Sequence, residues 1–202
     1  MTNLLIGTSN QYKVGFYRDM LTSDVDVTTP HEQGIKIDID EDLYDIVGNS
    51  QKKALAFAKA ADMLALSDDS GIFIPALNNE PGVAARRWGG ELPDTTSDEE
   101  WIEHFLYKTT DLADDQRTVN RRQVITLATP AGAVETLDMA TTGTLLRERA
   151  QPTYPAGGPF AVFFSVDEFG KAEIDLNHDE KALFTARIKA GVMHALNNLT
   201  NL

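Results

Sequence analysis

Two adjacent aspartates, Asp68 and Asp69, stand between two apolar runs and constrain the fold more than any other feature of the chain. The apolar runs, residues 64–66 and 72–74, are typical of buried strands. Residues 67–71 between them are polar and end in glycine, which predicts a turn or a bulge. Holding two neighbouring carboxylates in place is costly unless a cation or solvent screens them. The fold must therefore bring cations or water to this point.

The aspartate pair has two interpretations. Side chains of neighbouring strand residues point to opposite faces, so only one aspartate needs to face a site. One interpretation is an Asx turn closed by Gly71. The other is a ligand for a hard cation such as Mg²⁺ that also acts as a general base and orients water for attack on phosphorus. The residues alone leave both interpretations open.

Apolar periodicity along the chain predicts interspersed strands and helices. Residues 3–7 form a predicted buried strand, and a polar turn leads from it into a helix with Val14, Tyr17 and Leu21 on one face. Further helices are predicted at 50–63, after the capping box at 97–100 and at 181–197, with further strands at 123–129, 134–146 and 160–166. Strands outnumber helices, which favours an α/β fold with a mixed central sheet. A length of 202 residues fits one domain over 1–202.

Composition excludes several classes of function. The chain has no cysteine, so disulfides, thiolate metal sites and cysteine nucleophiles are excluded. None of the four histidines has the spacing of a zinc pair, and no G-x-S-x-G motif supports a catalytic serine. A net charge of −13 without a basic stripe argues against a nucleic-acid partner. No apolar run reaches membrane-spanning length and no signal peptide is evident, so we expect a cytoplasmic protein without a membrane partner.

The segment before the first helix is a candidate phosphate site. Thr8, Ser9 and Asn10 precede the helix, and Lys13 lies one turn into it. A helix N-terminus offers unpaired N–H groups and partial positive charge, which suit phosphate. The segment is not a P-loop, since it lacks the glycines of that motif. A plain N-cap with a solvated lysine is the alternative interpretation.

An acidic run at residues 38–42 also has two interpretations. Such a run is usually a solvated loop. It also offers Asp40 or Glu41 as the second carboxylate that a Mg²⁺ site needs.

The order of the motifs resembles the inosine triphosphate pyrophosphatase family, which removes pyrophosphate from non-canonical purine nucleoside triphosphates. The family motifs T-G-N-x-x-K, N-A-x-x-K-A, A-D-D-S-G-L and A-P-G-x-x-S-A-R-Y-x-G correspond to residues 8–13, 49–54, 67–72 and 80–90. These matches cover about the first half of the chain in the family's order.

The resemblance implies a fold with two lobes around a substrate cleft, a nucleoside triphosphate substrate, Mg²⁺ as cofactor and a homodimer. It implies that Asp69 is the general base and a metal ligand, with Asp40 or Glu41 as the second acidic metal position. It implies substrate contacts from Thr8, Ser9, Asn10, Lys13, Lys53, Ser70, Lys181 and Arg187. Water would attack the α-phosphorus and release a nucleoside monophosphate and pyrophosphate.

Three departures from the family pattern stand out. Gly48 replaces the family's glutamate before N-A-x-x-K-A, and residues 157–161 replace F-G-Y-D-P. In the stretch that corresponds to the family's K-x-x-I-S-H-R, this chain keeps the lysine and the arginine as Lys181 and Arg187 but lacks the histidine. The motifs expected to bind the triphosphate are thus largely retained. In the changed motifs, no residue is evident that would recognise a purine keto group. The alternatives are an altered base preference, or a nucleotide-binding protein that has lost catalysis.

Overall fold

The computed structural model describes residues 2–21, 25–41 and 45–201 as a mixed α/β fold. Its elements are β1 (Thr2–Ile6), α1 (Gln11–Met20), β2 (Val25–Thr28), α2 (Ile46–Ala61), β3 (Leu64–Ile74), β4 (Glu80–Gly82), α3 (Asp98–Thr109), β5 (Thr118–Ala128), β6 (Val134–Leu145), β7 (Phe164–Val166), β8 (Lys171–Ala172) and α4 (His178–Thr200). Strand β1 pairs in parallel with β2 and β3, whereas β4, β7 and β8 pair antiparallel with their neighbours. The predicted mixed sheet with helices is confirmed.

The chain divides into two compact units. The first comprises residues 1–69, 123–139 and 183–202, and the second comprises 70–122 and 140–182. Strands β3, β5 and β6 each contribute residues to both units. A single domain over 1–202 and a substrate cleft stay predictions.

In the first unit the strands follow the order β2-β1-β3-β5-β6, with helices on both faces. On one face Leu66 of β3 shares a buried cluster with Tyr17 of α1 and Val192 of α4. On the other face its neighbour Ala65 packs with Ala54 of α2. The alternation of side chains along β3 therefore places successive residues under different helices.

The second unit has an aromatic core around α3. Phe105 of this helix contacts the rings of Trp88, Trp101, Phe160 and Phe163. The predicted capping box is confirmed where α3 begins, with reciprocal side-chain and backbone hydrogen bonds across its first turn. None of the helices in the described ranges is long and apolar enough to cross a membrane.

The predicted turn at residues 67–71 is wrong, and the alternative of a bulge stays a prediction. Strand β3 runs without interruption from Leu64 to Ile74. Polar residues remain in the strand because side chains from α1 and α2 meet the two aspartates on opposite faces, as described below. Gly71 has a packing role rather than a turn role. A Cβ on it would lie 2.6 Å from the Phe73 ring and 3.1 Å from the Gly82 carbonyl oxygen.

Other boundaries also differ from the sequence predictions. Helix α2 begins at Ile46 instead of residue 50, because Asp45 caps it through the Gly48 N–H. The strand predicted at 160–166 is shortened to Phe164–Val166, since Pro159–Val162 form a 3₁₀ helix. The short strands β2, β4 and β8 were not predicted.

Substituting Gly71 tests the close packing in β3. We expect Gly71→Ala to lower the free energy of unfolding by about 1–3 kcal/mol, because the added methyl group overpacks a filled space. Gly15 in α1 is the matched control, since a Cβ there meets nothing within 4 Å. Gly15→Ala should raise stability by up to about 1 kcal/mol through helix propensity. Urea unfolding measures both, and equal stabilities of the two variants would contradict the packing role.

Candidate active site

The site is built around the carboxyl end of β1. The Gly7 N–H donates to the Leu66 carbonyl at 2.7 Å, so the segment after β1 starts beside β3 just before the aspartates. Strand β1 leads through α1 to β2 on one side, while β3 lies on its other side. Open α/β sheets bind ligands where the connections diverge in this way. Topology alone therefore favours this end of β1 as a binding position.

Asn10 caps α1, as the N-cap interpretation predicts. Its Oδ1 accepts from the N–H groups of Tyr12 at 2.9 Å and Lys13 at 3.3 Å. The Thr8 hydroxyl accepts from the Asn10 N–H at 3.1 Å, and Ser9 is exposed. These bonds hold the turn in one conformation at the helix N-terminus. Phosphate binding by the three residues stays a prediction.

Lys13 is not the solvated lysine of the alternative interpretation. Its Nζ donates to the Asp68 carbonyl at 2.7 Å and to Asp68 Oδ1 at 3.3 Å. The Asp68 side chain is only 2% exposed, and its Oδ2 accepts from Tyr17 Oη and Gln123 Nε2, each at 2.8 Å. Burial, with the neighbouring Asp68 carboxylate, raises the pKa of Tyr17 well above its ordinary value, so its hydroxyl remains a donor. Each oxygen of this buried carboxylate thus has a donor.

Asp69 points to the opposite face, where it meets α2. Its Oδ1 forms an ion pair with Lys53 Nζ, which also lies 3.3 Å from Glu41 Oε1. Its Oδ2 is buried and has no hydrogen-bond partner among the residues that the structure describes. Burial raises the pKa of Asp69, although the positive charges of Lys53 and Lys13 lower it in part. One oxygen of this carboxylate therefore has no donor among the described residues, in contrast to Asp68.

The metal-binding role of Asp69, Asp40 and Glu41 stays a prediction. Within the described ranges, no three or more His, Cys, Asp or Glu side chains are grouped closely enough to hold a metal ion. Mg²⁺, however, often takes only one or two carboxylates and completes its shell with water and phosphate oxygens. Asp69, with its unpaired buried oxygen, and Glu41, which shares Lys53 with it, fit a site of that kind. Asp40 offers its carbonyl to Lys52 Nζ, and its role as a metal ligand stays a prediction.

The remaining predicted substrate contacts stay predictions. Ser70 follows Asp69 on β3 and is the first residue of the second unit. Lys181 lies near the start of α4 in the second unit, and Arg187 lies exposed on α4 in the first unit.

Gly48, which replaces the family's glutamate, lies close to the residue that caps α2. A Cβ on Gly48 would lie 2.2 Å from Oδ2 of Asp45, the carboxylate that caps α2. A side chain at position 48 would therefore require the Asp45 carboxylate to shift.

Two residues of the site escaped the sequence analysis. Tyr17 was predicted on the apolar face of α1, and its buried position confirms that. Its hydroxyl donates to Asp68. That hydroxyl, a polar group on an apolar helix face, was the only feature of the sequence that could have indicated this role. Gln123 begins a predicted strand, and nothing in the sequence marks it as a partner of Asp68 55 residues away.

Comparison with known proteins gives the chain a family. The sequence profile described as the Ham1 family matches residues 4–195. The chain belongs to the Ham1 family. A dITP/XTP pyrophosphatase from Desulforamulus reducens is 31% identical over 199 residues, which cover 97% of this chain and 96% of that relative. The dITP/XTP pyrophosphatase from Bacillus subtilis is 29% identical over 191 residues, covering 94% of this chain and 93% of the relative.

A solved structure has the same fold as this Ham1-family chain. The HAM1 protein from Coxiella burnetii matches it with a TM-score of 0.76 and 25% identity, over 100% of both chains. The resemblance seen in the sequence motifs is thereby confirmed, and the family relationship extends well beyond the first half of the chain that carried those motifs.

The ion pair of Lys53 with Asp69 predicts a specific change in titration. We expect Lys53→Met to raise the pKa of Asp69 further, because removing the nearest cation leaves burial and the negative charge of Glu41. As pH falls, Asp69 should then take up its proton at a higher pH than in the wild type. Carboxyl ¹³C NMR titration measures this.

The neighbouring Lys52 provides the control, because its ammonium contacts the Asp40 carbonyl instead. Lys52→Met should leave the pKa of Asp69 where it is in the wild type. Equal shifts in both lysine variants would contradict the specific role of Lys53.

Proposed function

We propose that this Ham1-family protein hydrolyses non-canonical purine nucleoside triphosphates, such as ITP, dITP and XTP, to the monophosphate and pyrophosphate. The observation that carries the proposal is the unpaired buried oxygen of Asp69 in the field of Lys53 and Lys13. A general base with cations beside it suits attack of water on a polyanionic substrate. The relatives named dITP/XTP pyrophosphatase supply the substrate class.

In this mechanism Asp69 accepts a proton from the attacking water and orients its oxygen toward the α-phosphorus. A bond forms between that oxygen and phosphorus while the bond to the oxygen bridging the α- and β-phosphates breaks. The electron pair leaves with pyrophosphate, and Lys13 and Lys53 offset the charge that develops on it. Lys181 and Arg187 are further candidates for this role by family resemblance.

Asp69 and Glu41 would hold Mg²⁺ in this proposal. When bound, Mg²⁺ polarises phosphate oxygens and stabilises the negative charge of the transition state. Both carboxylates already share a cation, the Lys53 ammonium, which supports their ability to bind one together.

Substituting the two candidate acids separates their roles in metal binding. We expect Glu41→Gln to weaken Mg²⁺ binding by roughly tenfold or more, because one anionic ligand becomes neutral. Asp40→Asn should change it by less than about threefold if the Asp40 contribution is confined to its backbone carbonyl. Isothermal titration calorimetry with a non-hydrolysable triphosphate present measures both. A larger loss in Asp40→Asn would assign the second metal position to Asp40.

Two alternatives are less favoured. An altered base preference and a binding protein without catalysis both rest on the changed late motifs. Relatives that cover nearly the whole chain are named pyrophosphatases, and the aspartate pair with both lysines is intact. A cytoplasmic location and a homodimer stay predictions.

Pyrophosphate release over a panel of nucleoside triphosphates, with and without Mg²⁺, tests the proposed function. ITP, dITP and XTP should be preferred over ATP and GTP, and turnover should require Mg²⁺. Equal rates on all bases would contradict the substrate class. No release with any triphosphate would contradict catalysis.

Asp69→Asn tests the general base directly. It should lower kcat by about a hundredfold to ten-thousandfold, since the amide cannot take the proton. Asp62, an exposed aspartate in the left-handed conformation at the end of α2, is the matched control. Asp62→Asn should keep wild-type activity because asparagine tolerates that conformation. Full activity in Asp69→Asn would remove Asp69 from its role.

A further inference from the structure

We propose that Tyr17, Asp68 and Gln123 form a positioning unit that holds the Lys13 ammonium where the substrate phosphates bind. This inference rests on the proposed function, because it assigns the lysine a phosphate to meet. Asp68 itself would touch neither the substrate nor the attacking water. It acts through Lys13.

The two oxygens of the Asp68 carboxylate accept hydrogen bonds from different kinds of donor. Oδ2 accepts two neutral hydrogen bonds, from Tyr17 Oη and from Gln123 Nε2, both at 2.8 Å. Oδ1 faces Lys13 Nζ at 3.3 Å, and the Asp68 carbonyl takes a shorter bond from the same ammonium at 2.7 Å. The neutral donors thus keep one oxygen engaged, so that Lys13 meets the other.

Lysine needs such positioning more than other cations do. Its charge sits at the end of a flexible four-carbon stem, and the ammonium has no fixed direction of its own. Lys13 begins on the first turn of a surface helix, yet its side chain is only 21% exposed. The two contacts with Asp68 hold it against β3 instead of leaving it in solvent.

Asp68 is poorly suited to a catalytic role of its own. Its side chain is 2% exposed, both oxygens have donors, and it points away from the face on which Asp69 meets Lys53. A carboxylate without its neutral donors would draw the ammonium toward both oxygens and away from a phosphate. Tyr17 and Gln123 therefore control how much of the lysine charge is left for the substrate.

The test is a double-mutant cycle read by pyrophosphate binding. Tyr17→Phe combined with Gln123→Met removes both neutral donors and changes neither charge nor side-chain size greatly. We expect pyrophosphate to bind about tenfold more weakly by calorimetry, with kcat/KM lowered at least as much, because Lys13 also offsets the charge that develops on the leaving pyrophosphate. In a Lys13→Met background the same two substitutions should have no further effect on binding.

Thr126 on β5 provides a matched control, because its buried hydroxyl is hydrogen-bonded to Ser50 and Thr136, which lie outside the cycle. Thr126→Val should lower the melting temperature without changing pyrophosphate affinity. If the double variant does not fold, Gln123→Met alone repeats the test. We then expect a smaller loss of pyrophosphate affinity.

An equal loss of affinity with and without Lys13 overturns the positioning role, as does an unchanged affinity in the folded double variant. The proposed function fails separately, when the wild-type protein binds pyrophosphate but releases none from any nucleoside triphosphate. A wild-type protein that binds no pyrophosphate overturns the positioning role and leaves the proposed function to the release assay.

Discussion

Placing two adjacent carboxylates on opposite faces of one buried strand is the constraint on which the first unit depends. Asp68 meets Lys13 from α1, and Asp69 meets Lys53 from α2. Each charge is costly in a poorly solvated place unless a partner approaches it. A strand that carries both acids therefore needs helices with cations on both of its faces, and the three layers of this unit supply them.

The two aspartates differ in how completely they are compensated. Asp68 has a donor on each oxygen, so its burial is offset and it serves as a fixed part of the framework. Asp69 keeps one buried oxygen without a partner, and burial raises its pKa despite two nearby lysines. Such incomplete compensation lowers stability and is characteristic of residues kept for chemistry. The pair thus combines a fully hydrogen-bonded carboxylate with one that keeps an oxygen without a partner in the described part of the chain.

The strongly acidic composition gives the few cations of the site their importance. The chain has 18 lysines and arginines against 31 acids, so an anionic substrate meets net repulsion everywhere except near local positive charge. Lys13 and Lys53 provide that charge from the first turn of α1 and the middle of α2.

Sequence by itself determined the alternation of the longer strands and helices, an N-cap within residues 8–10, the capping box of α3 and the place of Asp69 in a family motif. These features follow from local periodicity and short motifs, whose physical causes lie within a few residues. Only the tertiary structure decided that residues 67–71 continue a strand and that Tyr17 and Gln123 bind Asp68. Those partners lie 51 and 55 residues from it, and only packing of α1 and β5 against β3 brings them within hydrogen-bond distance.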